Sequence, residues 1–92
     1  MIVNLQEIKL FLQVDHEEED LLIESLIAAA EVYLYNATGK KFTSENSLAI
    51  LYCKVLINDW YKNRDLMEQK GVSDKVRFTL QSILLQLKHS EV

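Results

Sequence analysis

A chain of 92 residues with no Pro, two Gly and one Cys is long enough for one domain with a thin core, and its composition favours helices joined by short polar turns. A single Cys excludes an internal disulfide bond, and a formal net charge of −4 does not suit a binder of duplex DNA, whose phosphates attract basic proteins. The N-terminus lacks the basic and then apolar segments of a signal peptide, so we expect a soluble cytosolic protein.

The first predicted helix is short. Asn4 is a good N-cap, and Glu7 stands three residues later, at the capping-box position. Leu5, Ile8 and Leu12 form one apolar edge, and the pattern ends near Gln13.

The second predicted helix runs from about His16 to Ala37, with Asp15 as its N-cap and Glu18 reaching back to the cap. The acidic run from Asp15 to Asp20 has two interpretations. Paired carboxylates hold hard cations, but the alternating ligands and the Gly of a calcium loop are missing here. Acidic residues in the first turn also complement the helix dipole, and we favour this structural role.

The body of this helix has a wide apolar stripe, and its small residues Ala28 to Ala30 would permit close approach of another helix. Gly39 is the expected left-handed C-cap. Lys40 and Lys41 follow it, where cations suit the C-terminal dipole; contact with nucleic acid is the alternative. The stripe consists of Leu22, Ile23, Leu26, Ile27, Ala30, Tyr33, Leu34 and Ala37.

The central predicted helix runs from Ser47 to Asn63 and is apolar around most of its circumference. Its polar residues Ser47, Lys54, Asn58 and Lys62 draw one narrow stripe. Such a helix must be covered on several sides, either by its own bundle or partly by another subunit. Its length of about 25 Å and its polar interruptions make a membrane span a poor interpretation.

The rest of the chain is predicted to be a loop and a last helix. Residues 64–72 have no clear period, and Ser73 or Asp74 caps the helix that follows. Phe78 and Leu85 widen the apolar stripe of this last helix, so that it is broader than one neighbouring helix would cover. The stripe itself consists of Val76, Leu80, Ile83, Leu84 and Leu87.

Charge is distributed unevenly along the chain. Residues 1–46 contain nine acidic and three basic residues, a net charge of −6, whereas residues 47–92 contain five acidic and seven basic residues, a net charge of +2. A molecule with poles of opposite sign would be able to stack head-to-tail with copies of itself.

No set of residues in the sequence has the pattern of a catalytic or metal-binding site. His16 and His89 lie at opposite ends of the chain, and Cys53 lies within the apolar helix, where a buried and inert thiol is expected. Phosphate loops and nucleophile elbows are also missing. We therefore predict no catalytic residue, no metal site and no cofactor, and a non-enzymatic protein of residues 1–92 that folds as a single all-α bundle of about four helices around the central helix from Ser47 to Asn63.

Three segments in order carry a family resemblance. The sequence Val14-Asp15-His16, followed by acidic residues, leads into the second helix, which closes with Asn-Ala-Thr-Gly at 36–39. The central helix closes with Trp60 to Arg64, similar to a Tyr-x-Asn-Arg motif, and residues 76–88 match a last helix in order and size. With the early short helix, these segments resemble the phage head–tail connector family, the DNA-packaging adaptors of tailed phages and prophages. The chain departs from the family pattern in lacking Pro in the connecting loops.

The resemblance implies a structural virion protein at the head–tail junction, present in the bacterial host cytoplasm during assembly. Such proteins form a ring of about a dozen copies beneath the portal. The ring continues the DNA channel with only non-specific DNA contact, and it offers a platform to a tail-side completion protein. The sequence leaves open whether the free protein is monomeric before assembly.

Two regions are candidate interfaces. Trp60, Tyr61 and Arg64 end the central helix in residue types that anchor interfaces, although Trp60 and Tyr61 would equally suit the core. Phe78 and Leu85 on the last helix are the candidates for docking on the portal, as the resemblance implies. In addition, Lys54, Lys62 and Arg77 are predicted to be exposed cations that face the channel.

Two other functions compete with this interpretation. One is a small helical DNA-binding regulator of phage or prophage origin. The link from Thr38 to Asn46 is longer than a helix-turn-helix turn, however, and the helix after it is too apolar to enter a groove. The other is a protein-interaction module that forms no ring.

Overall fold

The computed structural model describes residues 2–63 and 73–89. These residues form four α-helices: α1 (Leu5–Leu12), α2 (Asp20–Thr38), α3 (Ser47–Lys62) and α4 (Asp74–His89). No strand occurs within the two described ranges. The prediction of a small all-α bundle is therefore confirmed, while the predicted loop at 64–72 lies outside the described residues.

The helices α2 and α3 form the middle of the bundle. They pack against each other, and each of them also packs against α1 and α4. Within the described residues, α1 and α4 do not contact each other. The bundle therefore has α1 on one side of the central pair and α4 on the other.

The helix α3 supplies the centre of the core, as its apolar circumference predicted. Its buried side chains face three neighbouring helices, and the Trp60 ring meets the Tyr33 ring of α2 edge-on, with 5.7 Å between ring centroids and an interplanar angle of 84°. The exposed residues Ser47 and Lys62 mark the two ends of its polar stripe. The buried residues of α3 are Ala49, Tyr52, Cys53, Leu56, Ile57, Asp59 and Trp60.

The capping box predicted for α1 is confirmed, and α3 has a similar side-chain cap. In α1, the Asn4 side chain accepts a hydrogen bond from the Glu7 N–H at 2.9 Å, and the Glu7 carboxylate accepts one from the Asn4 N–H at 3.4 Å. In α3, Asn46 is the N-cap and accepts from the Ala49 N–H at 3.0 Å. Each of these side chains satisfies a backbone donor that its helix leaves without a partner.

The predicted start of α2 is wrong. The helix begins at Asp20 rather than near His16, and its N-cap residue is Glu19, not Asp15. Tertiary contacts explain the shift. Lys9 of α1 forms an ion pair with Asp20 at 2.8 Å, and the Tyr61 hydroxyl of α3 donates a hydrogen bond to the Glu19 carboxylate. These contacts fix where the helix starts, and the chain before it crosses the corner as a turn.

The C-terminus of α2 is closed by Gly39, whose φ of 72° is left-handed as predicted. Lys40, just beyond it, reaches the C-terminus of α4, where its Nζ atom donates to the Lys88 carbonyl at 2.9 Å and to the Leu87 carbonyl at 3.4 Å. This lysine therefore satisfies the last carbonyls of a different helix from the one it follows.

Candidate functional site

The outer face of α4 exposes two large apolar side chains. Phe78 is 76% exposed and Leu85 is 58% exposed, while Leu80, Ile83 and Leu87 on the opposite face are buried. Because Phe78 and Leu85 are seven residues apart, they lie on one side of the helix, about 10 Å from each other along its axis. The described core does not use these two side chains.

Arg77 lies beside a groove between α2 and α4. The groove has a volume of about 580 Å³, and the Arg77 guanidinium stands 4.0 Å from the exposed Asp74 carboxylate. The lining residues of the groove are Tyr33, Asn36, Ala37, Tyr52, Arg77, Leu80, Gln81 and Leu84.

Lys54 and Lys62 lie on the outward face of α3, away from that groove. Lys62 is exposed as predicted, whereas the prediction that Lys54 is exposed is wrong: it is half-buried, because α1 packs beside it. The Nζ atom of Lys54 is 5.8 Å from the centroid of the Phe11 ring on α1, within the range of a cation–π contact. The structure thus brings Lys54 and Lys62 to one surface and places Arg77 on another.

The two aromatic residues at the end of α3 make contacts within the chain. Trp60 is 3% exposed and belongs to the core. Tyr61 is half-buried, and its hydroxyl donates to Glu19. Arg64, the third residue of this predicted interface, lies outside the described residues.

Charges of opposite sign gather at opposite ends of α2. Asp15, Glu17 and Glu18 are exposed in the turn between α1 and α2; we call them the acidic corner. Lys40 and Lys41 follow the other end of α2, where the bond from Lys40 to Lys88 also brings the end of α4. Lys40 and Lys41 belong to the acidic half of the sequence, but in the fold they lie near Lys88 at the end of α4. We call these three lysines the basic end.

Cys53 is not placed for chemistry. It is fully buried, and burial, with a smaller effect from Glu31, raises the pKa of its thiol to about 12. Burial also raises the pKa of the neighbouring Tyr52. No cluster of three or more potential metal ligands occurs in the described ranges. The helices described are also too short or too polar to cross a membrane.

The family model of the phage gp6-like head-tail connector protein matches residues 2–88. The chain belongs to this family. The resemblance noted in the sequence is thereby confirmed, and the protein is a head–tail connector with a structural role in the virion, where it acts at the junction of head and tail. Neither the curated proteins nor the solved structures contain a match to this chain.

Sequence reasoning missed one polar residue that organises this connector. Asp59 is 4% exposed, and its Oδ2 atom accepts from the Ser73 N–H at 2.9 Å while its Oδ1 atom accepts from the Ser73 hydroxyl at 2.8 Å. Asn63 donates to the same carboxylate at 3.2 Å. The bonds fasten the end of α3 to the start of α4. The sequence contained one signal of this role: Asp59 is an acidic residue that lies outside the polar stripe of α3.

Proposed function

We propose that this connector forms a ring that joins the phage portal to the tail and continues the DNA channel. The observation that carries the proposal is the exposed pair Phe78 and Leu85 on the outer face of α4, in a chain of the connector family. An apolar pair that the described core leaves uncovered is suited to a protein partner.

In this proposal the outer face of α4 docks on the portal. Full burial of a Phe or a Leu side chain stabilises a contact by about 1.5–3 kcal/mol, so the pair alone gives each subunit only a modest affinity. A ring multiplies such a contact, because the first subunit that binds raises the effective concentration of the others.

Contacts between neighbouring subunits would be head-to-tail, since the acidic corner and the basic end are complementary in charge. The end of α3 would provide a further contact surface through Tyr61 and Arg64, with Trp60 supporting it from the core. The tail-side completion protein would bind the rim opposite the portal.

We assign the surface that faces the DNA channel, the channel face, to Lys54 and Lys62. They lie on the outward face of α3, on a different surface from the docking pair of α4. Lysines that contact phosphates add affinity without sequence preference. Arg77 lies at the groove between α2 and α4, and we leave it outside this face.

The docking assignment is tested with the Phe78→Ser/Leu85→Ser double variant and the portal protein of the same genome. We expect the double variant to lose portal binding in co-sedimentation while its circular dichroism spectrum stays that of the wild type. Leu10→Ser is the matched control, because Leu10 is 81% exposed on α1 and lies on another side of the bundle. Wild-type binding by the folded double variant would overturn the assignment.

A further inference from the structure

The outer face of α2 has the pattern of a coiled-coil seam. Leu21, Ser25, Ala28, Val32 and Tyr35 follow one another at spacings of four, three, four and three, the alternation that a and d positions have in a heptad. All five residues are exposed. The core residues of the same helix, such as Ile23, Ala30 and Leu34, are buried on the opposite side.

This seam is suited to being covered by another helix. Leu21 is 81% exposed, Val32 58% and Tyr35 45%, while Ser25 and Ala28 between them are small enough for close approach. The Ser25 hydroxyl already donates to the Leu21 carbonyl at 3.0 Å, so covering it would leave no polar group without a partner.

Few charges accompany the seam. Glu24 and Glu31 are the charged residues between Leu21 and Thr38. Glu31 accepts a hydrogen bond from the Ile2 N–H at 3.1 Å and is half-buried beside the N-terminal segment. Both glutamates lie on the same side of the seam, seven residues apart, so that side carries two negative charges and the other side carries none. The remaining charge lies at the two ends of the seam.

The charges at the ends indicate what covers the seam. The acidic corner precedes Leu21, and Lys40 and Lys41 follow the last turn of α2. If two copies met with parallel α2 helices, acid would face acid and base would face base. In the antiparallel arrangement each acidic corner meets the lysines of the other copy, and the favourable contact is made twice.

The side-chain sizes agree with the same arrangement. In an antiparallel pair centred between Ser25 and Ala28, the Leu21 of one copy meets the Val32 of the other, and the small residues meet each other at the crossing. Tyr35 then lies beside the acidic corner of the other copy, where its hydroxyl has acceptors. The face is thus complementary to itself in shape, and its two ends are complementary in charge.

We propose that the free protein is a twofold-symmetric dimer in which the α2 helices of two copies pack antiparallel through Leu21, Ser25, Ala28, Val32 and Tyr35. The dimer does not depend on the ring. One consequence does rest on the proposed function: the dimer occupies the acidic corner and the basic end of both copies, so it competes with head-to-tail contacts and keeps the free protein from assembling without the portal.

Light scattering without the portal tests the dimer by mass. One chain has a mass of 10.7 kDa, so we expect a species of twice that value, and Ala28→Arg should convert it to a monomer. Ser82→Arg on the exposed outer face of α4 is the matched control and should remain dimeric. A wild-type protein that is monomeric at high micromolar concentration, or one that forms larger rings alone, would overturn the proposal.

Charge reversal tests the arrangement of the two copies. Glu18→Lys and Lys41→Glu should each raise the dissociation constant of the dimer about tenfold, because each removes both symmetric contacts. The double variant should restore wild-type affinity. If the double variant is weaker than either single variant, the acidic corner and Lys41 do not meet.

Cysteine crosslinking tests the symmetry directly. Ala28→Cys lies near the twofold axis and should form a disulfide with its own copy, while the native Cys53 is buried and does not interfere. Leu21→Cys should not link to itself, since its two copies would be about 16 Å apart along the helices. It should link to Val32→Cys in a mixture. Self-linkage of Leu21→Cys would mean parallel helices and would contradict the proposal.

Discussion

Replacing Asp59 by Ala should lower the free energy of unfolding by about 3 kcal/mol. The side chain is 4% exposed and accepts two short bonds from Ser73, one from its N–H at 2.9 Å and one from its hydroxyl at 2.8 Å. A hydrogen bond to a charged group contributes about 1.5–3 kcal/mol, so two bonds at the lower limit give this value. A chain of 92 residues has a total stability of about 5–14 kcal/mol, of which this loss is a large share.

Two milder substitutions separate the contributions of the individual hydrogen bonds to the Asp59 carboxylate. Asp59→Asn keeps one acceptor oxygen and should lose about half as much, because the amide nitrogen cannot accept a bond. Ser73→Ala removes only the bond from the hydroxyl and should cost about 1.5 kcal/mol. In a double-mutant cycle, Asp59→Ala and Ser73→Ala should therefore show a coupling of about 1.5 kcal/mol.

Urea denaturation measures these changes by circular dichroism and by the fluorescence of Trp60, the single Trp of the chain. Asp74→Ala is the matched control. The Asp74 side chain follows Ser73 directly but is 98% exposed, and its ion pair with Arg77 is 4.0 Å long. This variant should therefore cost less than about 1 kcal/mol, from the helix dipole and this exposed pair. A loss below 1 kcal/mol for Asp59→Ala, or an equal loss for Asp74→Ala, would refute the account of this contact.

Three other changes test the packing of the bundle. The pKa of Cys53, about 12 against 9.0 for a free thiol, means that stability is intact below about pH 9 and falls above it, by about 1.4 kcal/mol at pH 10. Urea denaturation at about pH 7 and pH 10 should show this loss in the wild type, and Cys53→Ala should keep only the smaller loss that comes from Tyr52, whose pKa burial also raises. Gly39→Ala should lower the free energy of unfolding by about 1 kcal/mol in a thermal melt, because an Ala at φ of 72° is strained. No atom lies within 4 Å of the added Cβ, so no steric clash adds to this cost. An unchanged melting temperature would exclude backbone strain. Lys9→Met should destabilise the fold by about 1–2 kcal/mol by leaving Asp20 without its partner, and Asp20→Asn should recover part of that loss in the double variant; no recovery would mean that Lys9 acts through its packing alone.

Local signals in the sequence predicted most of the fold. The cap at Asn4 and the left-handed Gly39 both involve residues within one turn of each other, so their pattern is visible in the chain itself. The apolar circumference of α3 predicted a helix covered on several sides for a similar reason. In each case the interaction that decides the structure lies within the segment that carries the pattern.

Contacts between distant segments were not predictable in this way. The start of α2 is set by Lys9 and Tyr61 on two other helices, so a good capping sequence at Asp15 was overruled. Asp59 and Ser73 are fourteen residues apart, and nothing in their spacing indicates that they meet. The basic end likewise depends on where the chain places Lys40 in the fold.

The candidate surfaces differ in how well the sequence defines them. Helical spacing indicated that Phe78 and Leu85 widen the apolar stripe of α4 beyond what one neighbour covers, and in the fold both are exposed on the side away from its buried residues. Residue type alone does not separate core from interface at Trp60, which the fold buries. The seam of α2 was hidden for another reason: a helix that is apolar on both sides appears in the sequence as one wide stripe.

The most direct test of the connector role is the mass of the complex that the protein forms with the portal of the same genome, measured by light scattering at increasing protein concentration. The account predicts that many copies bind each portal and that binding saturates at a closed ring. The Ala28→Arg variant, which breaks the dimer, should also form the portal complex if the exposed face of α2 is used only in the free dimer. A portal whose mass does not change at any concentration, while the connector remains folded and free, would contradict the role proposed for this protein.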